Sequence, residues 1–203
     1  MIKNSYIQKI TKCISLIFVI LSILLTIPIV AYGFEIPYTY VNAVGEKIVL
    51  IDNESATNPT YDELVEFIHE DETDKILYVY DEYMCADFAK ELHDNAEEKG
   101  IRAGFVFIGF ENKIIGHAIN CFNTSDRGLV FVDCCGTTEI VINDNYDKIA
   151  YVELGKEYGM VSMQYTNDTS YEYYDLRKDF KSDRKGFFET FGNVKNIRIF
   201  WEM

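Results

Sequence analysis

Between Cys85 and Asp133 the hydrophobic period of the chain switches from helical to strand-like, and this switch constrains the fold more than any other feature. Phe88, Ala89, Leu92 and Ala96 recur at helical spacing and Gly100 stops the pattern, so a helix opens at Cys85. Arg102 to Phe110 follows as an apolar, aromatic run that reads as a strand. His117 to Phe122 reads as another, and Leu129 to Asp133 returns after the turn Asn123-Thr124-Ser125-Asp126-Arg127-Gly128. A helix on a hairpin-built antiparallel sheet is the predicted core, which makes the fold class α+β.

The same stretch carries a cysteine, a histidine and an aspartate in chain order. The thiol of Cys85 sits near a helix N-terminus, where unpaired N–H groups and the helix dipole favour thiolate and could receive an oxyanion. Asp87, in the same turn, opposes this. A hairpin centred on Ser125 puts His117 opposite Asp133 and Cys121 opposite Leu129. The carboxylate would then hold one ring nitrogen while the other faces the thiol.

Tyr83-Met84-Cys85-Ala86-Asp87-Phe88-Ala89, Gly100-Ile101-Arg102-Ala103, Gly116-His117-Ala118-Ile119-Asn120 and Leu129-Val130-Phe131-Val132-Asp133 together resemble the transglutaminase-like superfamily, whose fold is papain-like. The pattern looks most like archaeal members with an N-terminal membrane segment. It covers Thr60 to Gly136 well and the remainder loosely. The resemblance implies Cys85 as nucleophile, His117 as base and Asp133 as the orienting acid. One departure is Cys134-Cys135-Gly136, where the family often has an aromatic or proline-containing sequence, so the wall behind the triad is not defined by the likeness.

Taken singly, a cysteine at the apolar edge of a helix is most often a small buried hydrophobe, and a lone histidine is no better a signal. The joint requirement of three groups on helix, strand and strand is what favours a triad. His69, in the helix Tyr61 to Glu70, and His93, two turns beyond Cys85, are the competing bases; both read as solvated or half-buried helix residues. Cys121, Cys134 and Cys135 form no Cys-x-x-Cys pair, and a vicinal pair is a poor source of two ligands for one tetrahedral ion. No metal and no cofactor is expected. Cys121 reads as core, and disulfides are disfavoured because a bridge to Cys85 would destroy the nucleophile.

Lys3, Lys9 and Lys12 precede Cys13 to Tyr32, a stretch without charge that is long enough to span a bilayer, N-terminus inside. A cleaved signal peptide is the rival reading, with Pro28, Ala31 and Gly33 near the cleavage point. Residues 1–33 are therefore expected to be the anchor or signal and residues 34–203 the domain. Either way that domain leaves the cytoplasm, as a single-pass membrane protein or as a secreted one. The 33 acidic and 19 basic residues make it strongly acidic. Nucleic acid is an unsuitable partner, since no Lys/Arg cluster is long enough to track phosphates. The acidity suits solubility, a salty medium or attraction of a cationic substrate.

Elsewhere, Lys47 to Ile51 reads as a first strand, and Thr60 with Glu63 forms a capping box for a helix with Leu64, Phe67 and Ile68 on its apolar face. Glu70 to Asp74 reads as a solvated acidic loop, and Ile76 to Tyr80 as extended chain or a direct lead into the Cys85 helix. Glu139 to Ile142, Ala150 to Leu154, Tyr158 to Tyr165 and Val194 to Trp201 read as strands, Asn143 to Asn145 as a turn, and Tyr171 to Arg184 as an exposed helix. The tyrosines around Tyr165, Tyr171, Tyr173 and Tyr174 suit either a peptide or sugar groove or a half-buried sheet. Asn53, Asn123 and Asn167 head glycosylation sequons on apparent loops.

The expectation is an extracytoplasmic enzyme that attacks amide bonds of a peptide or protein substrate, including those at the cell surface. Water as second nucleophile gives hydrolysis, and an amine gives cross-linking. The alternative is an inactive module of the same fold that binds a surface peptide or glycan.

Overall fold

The computed structural model of the chain describes residues 32–37, 39–136, 148–162 and 191–201. The expected apolar span before Tyr32, the strand Glu139–Ile142, the turn Asn143–Asn145, the helix Tyr171–Arg184, the tyrosine cluster and the Asn167 sequon lie outside them. Among the described residues no helix is long and apolar enough to cross a membrane. The chain divides into two units at Ala31/Tyr32, and the second is described below.

Strands β1 (Tyr32–Glu35) and β2 (Val49–Asp52) form an antiparallel ribbon. The first strand of the domain thus begins at Tyr32, and the segment expected at Lys47 becomes β2, two residues later. Helix α1 (Tyr61–Glu70) starts where the capping box places it. The Thr60 hydroxyl accepts from the Glu63 N–H, and the Glu63 carboxylate accepts from the Thr60 N–H at 2.7 Å. Its buried face is Tyr61, Leu64, Phe67 and Ile68. Glu70 to Asp74 is not the solvated loop its charge suggests: Asp71 and Asp74 are buried, and Thr73–Lys75 is a 3-10 turn. The cause is hydrogen bonding, because the Asp71 carboxylate accepts from the Thr73 N–H and from the Asn95 amide at 2.9 and 2.8 Å.

Helix α2 (Cys85–Glu98) buries Phe88, Ala89, Leu92 and Ala96, the residues its period selects. Its inner polar groups fasten neighbouring chain. Asp94 accepts from the Ile51 N–H, and Glu97 accepts from the Ala103 N–H at the entry to the sheet. His93 is fully buried rather than solvated, with Nδ1 3.3 Å from Asp94 and its ring against the edge of Phe34. His69 is exposed.

Among the described residues the sheet has six antiparallel strands: β3 (Gly104–Phe110), β4 (His117–Thr124), β5 (Gly128–Asp133), β6 (Lys148–Tyr151), β7 (Gly159–Ser162) and β8 (Val194–Phe200). Their order is β7-β6-β5-β4-β3-β8. Strand β6 stops at Tyr151, short of the expected Leu154, because Leu154 and Gly155 turn the chain toward Val194. β4 runs on to Thr124, so Asn123 is an exposed strand residue rather than a turn residue. The turn is Ser125 to Arg127, closed by Gly128 at φ 72°. This moves the hairpin register by two residues. Cys121 faces Phe131, not Leu129, and Asn123 faces Leu129. Asp133 extends the same register to Ile119, so His117 is its diagonal neighbour on one face and not its direct opposite. The Asp126 carboxylate accepts the Tyr61 N–H at 2.8 Å and Arg127 lies over the Tyr61 ring, which locks this turn to α1.

Apolar clusters flank the sheet. Phe122, Val130 and Val132 pack with Phe88, Leu92 and Ala96 on the α2 side. Val106, Ile108, Ile119, Cys121 and Phe131 pack with Tyr158 and Val194 on the other.

Candidate active site

His117 is the first residue of β4, at the end of the sheet where the N-terminus of α2 arrives. Strand alternation puts it, Ile119 and Cys121 with Phe131 and Asp133 on the face away from α2. Its Nε2 lies 2.9 Å from Asp133 Oδ2, and both groups are buried. Cys85 is half-buried at the first turn of α2, and its sulfur is hydrogen bonded to His117 and to the backbone N–H of Ala118. With Nε2 committed to the carboxylate, Nδ1 is the nitrogen left for the thiol. The three residues selected in the sequence thus meet, through a diagonal pair rather than a directly opposed one.

The electrostatics follow from this contact. Burial pushes the Cys85 thiol up, but the hydrogen bond and positive charge of His117, with the Ala118 N–H, outweigh it and leave the pKa lowered. Burial pulls His117 down, yet the charge and hydrogen bond of Asp133 and then the contact with Cys85 raise it to about 10. Both shifts act in the direction of a thiolate beside an imidazolium. Asp87, which counted against a thiolate, is occupied: its carboxylate accepts the Met84 N–H at 3.0 Å and the Ala43 N–H at 3.1 Å.

No protein-family model, curated protein or solved structure matches the chain. The site therefore stands on its own geometry.

Three aromatic residues that the sequence reading did not select complete it. The Tyr158 hydroxyl donates to Asp133 Oδ2 at 2.9 Å, and its ring meets His117 edge-on. Phe191 stacks on the imidazole, with centroids 4.6 Å apart and planes 18° apart. Pairing of Tyr158 with Gly192 and of Lys156 with Val194 brings that ring to the site. Tyr78, stacked on Phe88, receives the Cys85 backbone N–H on its phenol oxygen. Burial and the neighbouring sulfurs of Cys85 and Cys135 push this phenol up to about 12. Tyr158 and Phe191 lie 25 and 58 residues beyond Asp133 without a periodic signal linking them to it, so only the fold reveals them.

The wall left undefined at Cys134-Cys135-Gly136 also takes shape. Cys134 points its S–H at the Phe88 carbonyl, 3.5 Å away, on the α2 side. The Cys135 N–H donates to Asp133 Oδ1 at 3.0 Å. Gly136 passes so close to the 74–76 segment that a Cβ there would meet the Ile76 carbonyl at 2.2 Å. One ligand atom each of His117, Asp133 and Cys135 lies within 4.8 Å of the others, a set that could hold a thiophilic cation. Cys85, Cys121, Cys134 and Cys135 are all thiols.

Proposed function

We propose that the chain is a cysteine-nucleophile enzyme of transglutaminase-like type, anchored by its N-terminus and acting outside the cytoplasm on amide bonds of peptide or protein substrates. The observation that carries this reading is His117 held between Asp133 and Cys85. A thiolate attacks the carbonyl carbon, and the tetrahedral oxyanion draws on the Cys85 N–H once the substrate oxygen replaces that of Tyr78. His117, already protonated, gives its proton to the leaving amine, and Asp133 fixes the tautomer. Water then resolves the thioester to a carboxylic acid. An amine in its place gives a cross-link, and of the two outcomes the proposal is hydrolysis.

Ile76, Leu77, Val79 and Tyr80 before Cys85, and Ile114 and Ile115 before His117, are exposed apolar side chains, which suits a peptide bearing apolar groups. The second reading, an inactive module that binds a surface peptide or glycan, is favoured by the Tyr78 phenol, which competes with a substrate for the Cys85 N–H.

The rate of iodoacetamide alkylation of Cys85 against pH separates the two, with the other cysteines resolved by peptide mapping. The enzyme reading expects a rate that stays high well below the ordinary thiol pKa of about 8.5 and collapses in His117→Ala. A profile like that of a free thiol, unchanged by the substitution, would sink it.

A further inference from the structure

Cys135 is a thiol beside the triad that the proposed chemistry does not use. Its sulfur belongs to the set within 4.8 Å that includes His117 and Asp133, while the Cys85 sulfur is hydrogen bonded to the same His117. Cys85 and Tyr78 both pack against the apolar cluster that contains Cys135. The two other described thiols are placed elsewhere. Cys134 faces α2 through the Phe88 carbonyl, and Cys121 is fully buried in the core behind Gly104, where burial pushes its thiol up.

We propose that Cys85 is a site of oxidation by hydroperoxides and that Cys135 resolves it as a reversible disulfide, which rests on the reading of Cys85 as a thiolate. The Cys85 thiolate attacks the terminal peroxide oxygen, so an S–O bond forms, the O–O bond breaks, and the hydroperoxide is reduced to an alcohol or to water. The Cys135 sulfur then attacks the Cys85 sulfur. An S–S bond forms, the S–O bond breaks, and the leaving hydroxide departs as water with the Cys135 proton. Protonated His117 lies beside the departing oxygen. Two thiols are oxidised for each peroxide reduced, and Cys85 is spared the sulfinic state, which cannot be returned by thiols.

The test uses the full-length protein, fully reduced, as wild type, Cys135→Ser and Cys134→Ser, treated with one equivalent of hydrogen peroxide. Wild type and Cys134→Ser are expected to lose two thiols per chain and yield a Cys85–Cys135 linked peptide that dithiothreitol reverses. Cys135→Ser is expected to lose one, with Cys85 captured by dimedone as a sulfenic acid. Alkylation of Cys85 at pH 6 is measured on the same samples before oxidation. Fast alkylation with no linked peptide, or with Cys85 joined to Cys134 or Cys121, overturns the role of Cys135 and leaves the enzyme reading standing. Slow alkylation in wild type overturns both.

Discussion

His117 gains its character from being buried between a carboxylate and a thiol, where the low local dielectric strengthens each partner. Asp133 supplies most of the upward pull on the imidazole. Asp133→Asn keeps the shape and removes the charge. Loss of an opposite charge at this range moves a pKa by about 1–3 units, so the imidazolium, held to about 10 in the native chain, is expected to give up its proton about 1–3 units lower, seen as a downward shift of the upper limb of the Cys85 alkylation profile. A pH–rate profile that stays in place would show that Asp133 does not set the ion pair. Tyr158→Phe keeps the ring against the imidazole and removes only the O–H donor to Oδ2, so its effect on the same profile is expected to be smaller than that of Asp133→Asn.

At the scale of elements, the hairpin explains why an imprecise register still gave the right pair. Side chains alternate with a period of two, so the two-residue shift caused by the Ser125–Arg127 turn left His117 and Asp133 on one face. A one-residue shift would separate them. Helix α2 was legible for a different reason: its four apolar positions and the Gly100 stop define a single face. Phe88 on that face is fully buried and carries the rings of Tyr78 and Tyr83 beside the site. Phe88→Ala is expected to cost about 3–5 kcal/mol in urea unfolding. What sequence could not disclose were side chains whose roles depend on long-range closure. Asp71 was misread because its partner, Asn95, comes from another helix, and His93 because the ring that covers it, Phe34, comes from the distant strand β1. Phe191 and Tyr158 were missed because strand pairing between distant segments, not local period, delivers them.

For the whole molecule, the raised pKa of His117 is also a statement about stability. The folded state holds this proton up to about 10, whereas an unfolded histidine releases it near 6.5. The folded form therefore binds more protons between those values, and its stability falls as pH rises through them. In a Cys85→Ser background, which removes the opposing thiol titration, the advantage over the same chain with His117→Asn is expected to be largest below about pH 6.5 and to fade as pH rises, short of 10 because Cys85 no longer helps to raise the imidazole. Urea midpoints across that range measure it, and a constant gap would refute the linkage. The net charge of −14 adds a separate expectation: binding of a cationic peptide substrate should weaken as salt is raised. One further consequence comes from the position of Phe191, which reaches the imidazole only through the pairing that leads into β8, the last strand of the sheet. During synthesis on the ribosome, the cysteine, histidine and aspartate all emerge well before that ring. The nascent chain must therefore add the segment that leads into β8 before the imidazole is roofed over, long after the three site residues have left the ribosome.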